Sequence, residues 1–526
     1  MKLRTIVKIA ITSSVVLLCS GFALYSFFRL SAAEGQKDFN LYELVPSTTS
    51  AVFVTDDVLE FVAEVDDLTC SKNQQYLYVS KLFSYLKQSL YALSEDTPHG
   101  LSRQMNQMLI SFHEPDNERN QILYCRLGNG DKELVNKFVR KYISSLYPPK
   151  TFAYKGEEII IYPMADGDFL ACYLTSDFMA LSFQKKLIEN VIDAYKSGKS
   201  LADDPTFTGV RAPKKSAAAA TIYTRMKGMM GWTEFDMKMK DDFIYFSGIT
   251  YDADTCFAFI NQLRQQQSVK GFPGEALPST AFYFSRQGIA DWTSLLSYGN
   301  AQEQNETVRT SEVQNRDKEF SRYLMENAGQ DLVACLFLRE DTLQDQDAAA
   351  VLSLSVADVT EAERMLRTLV NTAPADEGRK TPRITFCYTV NKAYLVYRLP
   401  QTTLFKQLTG FVEPTLDMYA AFYGGRLLLA PDENSLSHYI RQLDKGEVLN
   451  GAIAYQTGMD HLSDSYHFML MADFDHVFRQ SENYVRFIPD FFLHNAGFFR
   501  NFTLFVQFAC TDGVVYPNII LKYKSE

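Results

Sequence analysis

Apolar and polar residues follow two regimes along this chain, and the first is the plainest. Ile9 to Phe28 (IAITSSVVLLCSGFALYSFF) carries no charged residue over twenty positions. As a helix it is about 30 Å long, one hydrocarbon core of a bilayer. Lys2, Arg4 and Lys8 precede it, and Arg29 follows. The positive-inside rule therefore predicts a cytoplasmic stub at 1–8, a transmembrane anchor at 9–28 and a polar linker at 29–40, with the remainder exported. The competing reading is a signal peptide cleaved after Ala33. Its apolar region would be long for that role, since such regions run about 7–15 residues. No later stretch is both long and apolar enough to span, because Thr175, Ser176 and Asp177 interrupt Phe169–Phe183.

The second regime, from Leu41 onward, mixes strand-like and helix-like periods and repeats itself. ELVPSTTSAVFV (Glu43–Val54) and EALPSTAFYFS (Glu275–Ser285) each lead from Pro-Ser-Thr into a strand. YCRLGNGDKELVNKFVRKYI (Tyr124–Ile143) and LSLSVADVTEAERMLRTLV (Leu352–Val370) each read as strand, polar turn, helix. Phe178–Leu181 and Leu427–Ala430 read as buried strands. LIENVIDAYKSGKSL (Leu187–Leu201) and LSHYIRQLDKGEVL (Leu436–Leu449) follow them as amphipathic helices, with Gly198 and Gly446 as C-caps. Each half closes on period-two alternation around a turn, at Asp241-Asp242 and at Thr511-Asp512-Gly513. Gly424-Gly425 reads as another tight hairpin turn. A Gln-, Gly- and Pro-rich break at Gln265–Pro278 separates the halves. The expected class is α+β: a transmembrane helix followed by two tandem, similar α+β domains, 41–270 and 271–526, with largely antiparallel sheets. Asn300–Glu326, a polar stretch, is expected to be an exposed helix or mobile loop inserted in the second half.

Composition narrows the function. The chain has 526 residues, 46% hydrophobic, and a formal net charge of -11. Without the four bases of the first thirty residues the remainder stands at 48 bases against 63 acids, or -15. Such a body repels phosphate backbones, so nucleic acid is not an expected partner. Beyond Cys19 lie Cys70, Cys125, Cys172, Cys256, Cys335, Cys387 and Cys510, with no CxxC. Most sit in apolar runs and read as small hydrophobes. An oxidising compartment permits one or two disulfides, but the spacing assigns no pairing.

Chemistry-bearing motifs are sparse. The sequence contains no GxSxG, P-loop, GxGxxG or HExxH. His461, His467 and His476 lie near Asp460, Asp464, Asp473 and Asp475, the right donor types for a metal or a hydrolase site, but at no ligand spacing. The expectation is that they make local hydrogen bonds, so no catalytic, cofactor-binding or metal residue is assigned and no cofactor is expected. The aromatic run Phe487–Phe508 holds eight Phe. Half of it fits a strand; Phe491, Phe492, Phe498 and Phe499 fall outside that strand and are the candidates for an exposed partner surface.

The short N-terminal anchor, Val45-Pro46-Ser47 before the first strand, and the strand–helix–Gly–Leu unit ending at Leu201 and again at Leu449 together resemble a family of uncharacterised bacterial envelope proteins, domain of unknown function 3352, most closely in its Bacteroidetes-type members. The resemblance covers most of Leu41–Tyr523. It implies an inner-membrane anchor and a periplasmic body, and brings no catalytic residues. The expected function is a non-catalytic envelope scaffold or interaction module with an envelope protein as partner. The alternatives are a periplasmic binder of lipid, glycan or peptide in a groove between the repeats, and a hydrolase using the His461–His476 region.

Overall fold

A computed structural model describes residues 39–73, 82, 105–113, 119–128, 131–138, 147–164, 167–211, 218–225, 232–250, 258–296, 311–339, 348–372, 382–390, 392–399, 402–409, 417–479, 492–493 and 495–524. The expected anchor at 9–28 and its flanks lie outside them. Among the described residues no helix is long and apolar enough to cross a membrane.

Among the described residues the first half supplies ten strands: β1 (Ala51–Thr55), β2 (Met108–Phe112), β3 (Gln121–Arg126), β4 (Lys150–Tyr154), β5 (Glu157–Pro163), β6 (Phe169–Leu174), β7 (Phe178–Ser182), β8 (Ala220–Thr224), β9 (Thr233–Lys240) and β10 (Phe243–Thr250). A short β11 (Val269–Lys270) follows. The second half supplies β12 (Ala281–Gly288), β13 (Ala328–Leu338), β14 (Ala348–Val356), β15 (Ile384–Tyr388), β16 (Ala393–Leu399), β17 (Met418–Tyr423), β18 (Arg426–Ala430), β19 (Ser465–Tyr466), β20 (Phe468–Asp473), β21 (Phe502–Thr511) and β22 (Val514–Tyr523). Among the described residues β11 pairs only with β19.

Every other described strand joins one antiparallel sheet, which holds twenty of them. The pairings run β4-β5-β6-β7-β3-β2-β1-β8-β9-β10 through the first half. Those of the second half run β15-β16-β17-β18-β14-β13-β12-β20-β21-β22, the same order in equivalent elements. β10 then pairs antiparallel with β22, from Phe243↔Lys522 to Thr250↔Val515. The halves therefore share one sheet through a central seam, and among the described strands the outer ones are β4 and β15.

Helices cover both faces, so the inner strands read as continuous apolar runs; β7 is buried at all five positions. On one face lie the helices Lys185–Ser197 and Glu433–Asp444. Leu187, Ile188, Val191 and Ile192 of the first are buried, as are Leu436, Tyr439 and Ile440 of the second. Gly198 (φ 61°) and Gly446 (φ 77°) end these helices in the left-handed region. The opposite face carries Val58–Asp67 and Asp131–Phe138 in the first half, and Ser311–Asn327 and Val359–Thr372 in the second. Each fully buried aliphatic or aromatic side chain in these cores contributes about 1.5–3 kcal/mol. The first-half core takes in Phe474, Phe499, Phe502, Leu521 and Tyr523, so packing too is continuous across the seam.

The structure gives form to three features singled out in the sequence. Gln265–Pro278 is ordered: it carries β11 and the short helix Pro273–Ala276, and Arg286 Nη1 donates to Gly271 O at 2.7 Å. The polar stretch expected as an exposed helix or mobile loop forms a helix over Ser311–Asn327, but one packed along one side, with Val313, Asp317, Phe320, Tyr323 and Leu324 buried. Glu312, Lys318, Glu319, Arg322 and Glu326 are exposed on the other side of a 3.6-residue period, while the buried Asp317 accepts from Thr402 Oγ1 at 2.6 Å and Thr403 N at 2.9 Å. The six cysteines among the described residues are free thiols, five of them buried; Cys19 and Cys256 lie outside.

Candidate functional site

The histidine–aspartate region weighed as a metal or hydrolase site is dispersed among separate contacts. The His461 ring packs on Phe243 and Tyr245, with centroids 4.6 and 5.5 Å away. His467 accepts the Cys510 N–H through Nδ1 at 3.1 Å, and burial lowers its pKa. His476 lies against Phe282. Asp473 accepts from Lys524 Nζ at 2.7 Å, and Asp475 from Arg479 Nη2 at 2.6 Å. Among the described residues no cluster of three metal-ligating side chains occurs.

The aromatic residues expected at a free surface turn inward. Phe499 is 3% exposed. Phe492 and Phe498 are half-buried and pack on the core. Phe474, Phe478, Phe492, Phe498, Phe499 and Phe502 form a chain of ring contacts, 4.8–5.1 Å at the closest pairs. These rings seal one face of the sheet beside the seam. Two short helices, Phe474–Arg479 and Ala496–Phe499, carry four of them, and Phe502 opens β21. Phe491 lies outside the described residues.

The fold creates three arrangements that no local motif announced. The first is a Ser–His pair: Ser111 Oγ lies 3.0 Å from His113 Nε2 and 3.0 Å from Tyr124 OH. The spacing is that of a nucleophile and base. Ser111 and Tyr124 are fully buried, however, and burial brings the His113 pKa down to about 4. The trio therefore serves as an internal hydrogen-bond chain across β2 and β3.

The second is an ionic knot at one end of the second half. Asp331 on β13 accepts from Arg286 Nε on β12 at 3.0 Å and from Arg426 Nη1 on β18 at 3.2 Å. Arg426 Nε also donates to Ser353 Oγ on β14, and Arg286 Nη1 to Tyr466 OH on β19. Burial raises the Asp331 pKa, but Arg426, the Ser355 side chain and Arg286 outweigh it and hold the carboxyl below its ordinary value. The knot ties together five strands that are remote in sequence.

The third is the distribution of exposed apolar groups. Among the described residues eleven large hydrophobic side chains are exposed, and six belong to the two outermost groups of strands: Tyr147, Phe152, Phe169, Phe386, Tyr388 and Val390. They differ in how they are held. Lys185 Nζ sits 5.2 Å from the Phe152 ring. Phe386 (54% exposed) and Tyr388 (66%) stack on each other at 6.0 Å on the outermost strand, with Val390 (89%) at the hairpin tip. At the seam, Phe243 and Tyr245 stand nearly parallel at 5.6 Å, with Lys522 Nζ 5.8 Å from the Phe243 ring. With His461 they line the sheet face where the halves meet.

No curated protein and no solved structure matches the chain. Residues 102–237, which run from just before β2 into β9 of the first half, match the family described as Protein of unknown function (DUF3352), and over that span the chain is similar to an uncharacterised domain family.

Proposed function

We propose that this chain is a membrane-anchored, non-catalytic interaction module, with residues 9–28 in the bilayer and the twenty-stranded body outside the cytoplasm, in the periplasm of a Gram-negative cell. The observation that carries the proposal is the stacked, exposed Phe386–Tyr388 pair on an outermost strand. Contiguous exposed apolar side chains on a folded surface mark contact sites for other molecules. The common strand order of the halves supports reading them as a tandem duplication, with domains at 41–270 and 271–526, that exposes two outer edges. The test is site-specific photo-crosslinking in native membranes, with the probe at Tyr388 or, as control, at exposed Met325. A discrete adduct from Tyr388 alone is expected; equal labelling from both sites, or none, refutes the proposal.

A second reading rests on the seam. Phe243, Tyr245, His461 and Lys522 combine flat apolar rings with hydrogen-bonding groups, a lining suited to a lipid, glycan or peptide between the halves. A thermal-shift screen over those three classes tests it. A stabilising ligand whose effect disappears in Tyr245→Ala supports a groove; a hit unaffected by Tyr245→Ala, or no hit, dismisses it.

A further inference from the structure

We propose that β15 is a self-pairing edge: two copies of this chain join antiparallel through Ile384–Tyr388, with Phe386 of each opposite Phe386 of the other. The inference rests on the interaction-module reading and names its partner as a second copy.

The hydrogen-bond phase of β15 sets the register. Arg398 N donates to Arg383 O at 2.8 Å, and Thr389 N to Lys392 O at 2.9 Å. Residues 383 and 389 therefore face inward to β16, and so, by alternation, do 385 and 387. Ile384, Phe386 and Tyr388 turn their backbone N–H and C=O outward, where no strand among the described residues meets them. An antiparallel pair centred on Phe386 sets Phe386 against Phe386, and Ile384 against Tyr388, with every outward N–H facing a carbonyl. The Tyr388 carbonyl accepts from Arg441 Nε at 3.3 Å and keeps a second lone pair.

Three further observations favour a second copy at this edge. Ile384–Tyr388 contains no charged residue and no proline, the two devices that usually block edge pairing. The exposed Phe386 and Tyr388 rings lie on one face, so their register partners stack across the new pair. The seam provides the precedent, since β10 and β22 already join the equivalent last strands of two equivalent halves antiparallel. The other outer edge differs. On β4, Tyr154 OH donates to Asp193 and Lys185 covers Phe152, so its aromatic side chains are already bound to their own helix. A symmetric pair through β15 thus closes at two copies instead of growing into a filament.

A five-residue strand pair buries less than the roughly 1,200 Å² of a stable complex, so association is expected near micromolar concentration. The experiment is sedimentation equilibrium of the full chain in density-matched detergent from about 1 to 100 µM, a span bracketing that affinity. The weight-average protein mass is expected to rise from one chain toward two. Phe386→Pro removes an outward N–H that β16 does not use, and Tyr388→Lys places a charge on the edge; both are expected to stay at one chain with an unchanged circular dichroism spectrum. Phe152→Glu, on the opposite outer edge, is expected to dimerise like the native chain. Phe386→Cys is expected to give a two-chain band with a short bis-maleimide, and Phe152→Cys none. A native mass fixed at one chain, or a dimer equally strong in Phe386→Pro and Tyr388→Lys, overturns the inference. If Tyr388 crosslinks a different protein while the native chain stays monomeric, self-pairing fails and the interaction-module reading stands.

Discussion

Replacing Asp331 with Asn tests whether the ionic knot holds the second half together. The carboxylate side chain is 7% exposed, against 15% for Arg286 and 20% for Arg426. Asn preserves the shape but offers one neutral acceptor to two guanidinium groups. Removing one partner of a buried ion pair costs about 3–5 kcal/mol, and the partial exposure of both arginines places this case at the low end, about 3 kcal/mol. That is roughly a hundredfold in the local folding equilibrium. Each half carries one of the two tryptophans. Trp292 Nε1 donates to Gly329 O at 3.1 Å, two residues from Asp331. In a Trp232→Phe background, urea denaturation followed by fluorescence reports the second half through Trp292. The pH dependence supplies a second check. The folded Asp331 pKa lies below the unfolded value of about 3.9, so its contribution is full above that value and is lost as pH falls through the folded pKa. The difference between the native chain and Asp331→Asn should collapse over that acid range, because both then carry a neutral group. A penalty under about 0.5 kcal/mol at pH 7, the range of ordinary surface substitutions, or one that does not change with acid, refutes the reasoning.

His113 should stay neutral through the range where exposed histidines titrate. Its folded pKa of about 4 lies below the ordinary 6.5, so stability is full above pH 6.5 and falls by up to about 3 kcal/mol as pH drops toward 4. An NMR titration of the His113 ring that shows protonation near pH 6.5 contradicts this. Gly198→Ala and Gly446→Ala should each cost about 1 kcal/mol, from the left-handed backbone alone, since neither site has a neighbour within 4 Å of an added methyl. Gly209→Ala, which also has open space but ordinary φ, should be neutral or slightly stabilising, so equal melting shifts at all three sites count against the argument.

Much of the fold was legible because it depends on local periodicity. Gly198 and Gly446 end their helices as the pattern required, and Asp512-Gly513 and Gly424-Gly425 turn their hairpins with both residues at positive φ. The Pro-Ser-Thr and Gly–Leu motifs were each visible alone. That they touch was not: Leu201 N donates to Val45 O at 2.8 Å, and Leu449 N to Leu277 O at 2.9 Å, closing the same contact in both halves. The candidate chemistry fared worse for the same reason. Proximity along the chain suggested His461, His467 and His476, yet strand alternation and intervening turns sent their rings to different environments. Ser111 and His113 are two residues apart, but Tyr124 reaches Ser111 only through the pairing of β2 with β3, and Arg286, Asp331 and Arg426 meet only because strands bring distant segments into register.

The amino-acid sequence by itself determined the α+β class, the positions of its caps and turns, and the recurrence of one pattern in both halves. These follow from dihedral preferences and from a period of two or 3.6, which act within a few residues. Only the tertiary structure decided that the halves continue one sheet through β10 and β22, that the late phenylalanines pack beside that seam, and that Phe386 and Tyr388 stand exposed on the outermost described strand. Burial and strand pairing depend on which surfaces meet across hundreds of residues, and no local pattern encodes that.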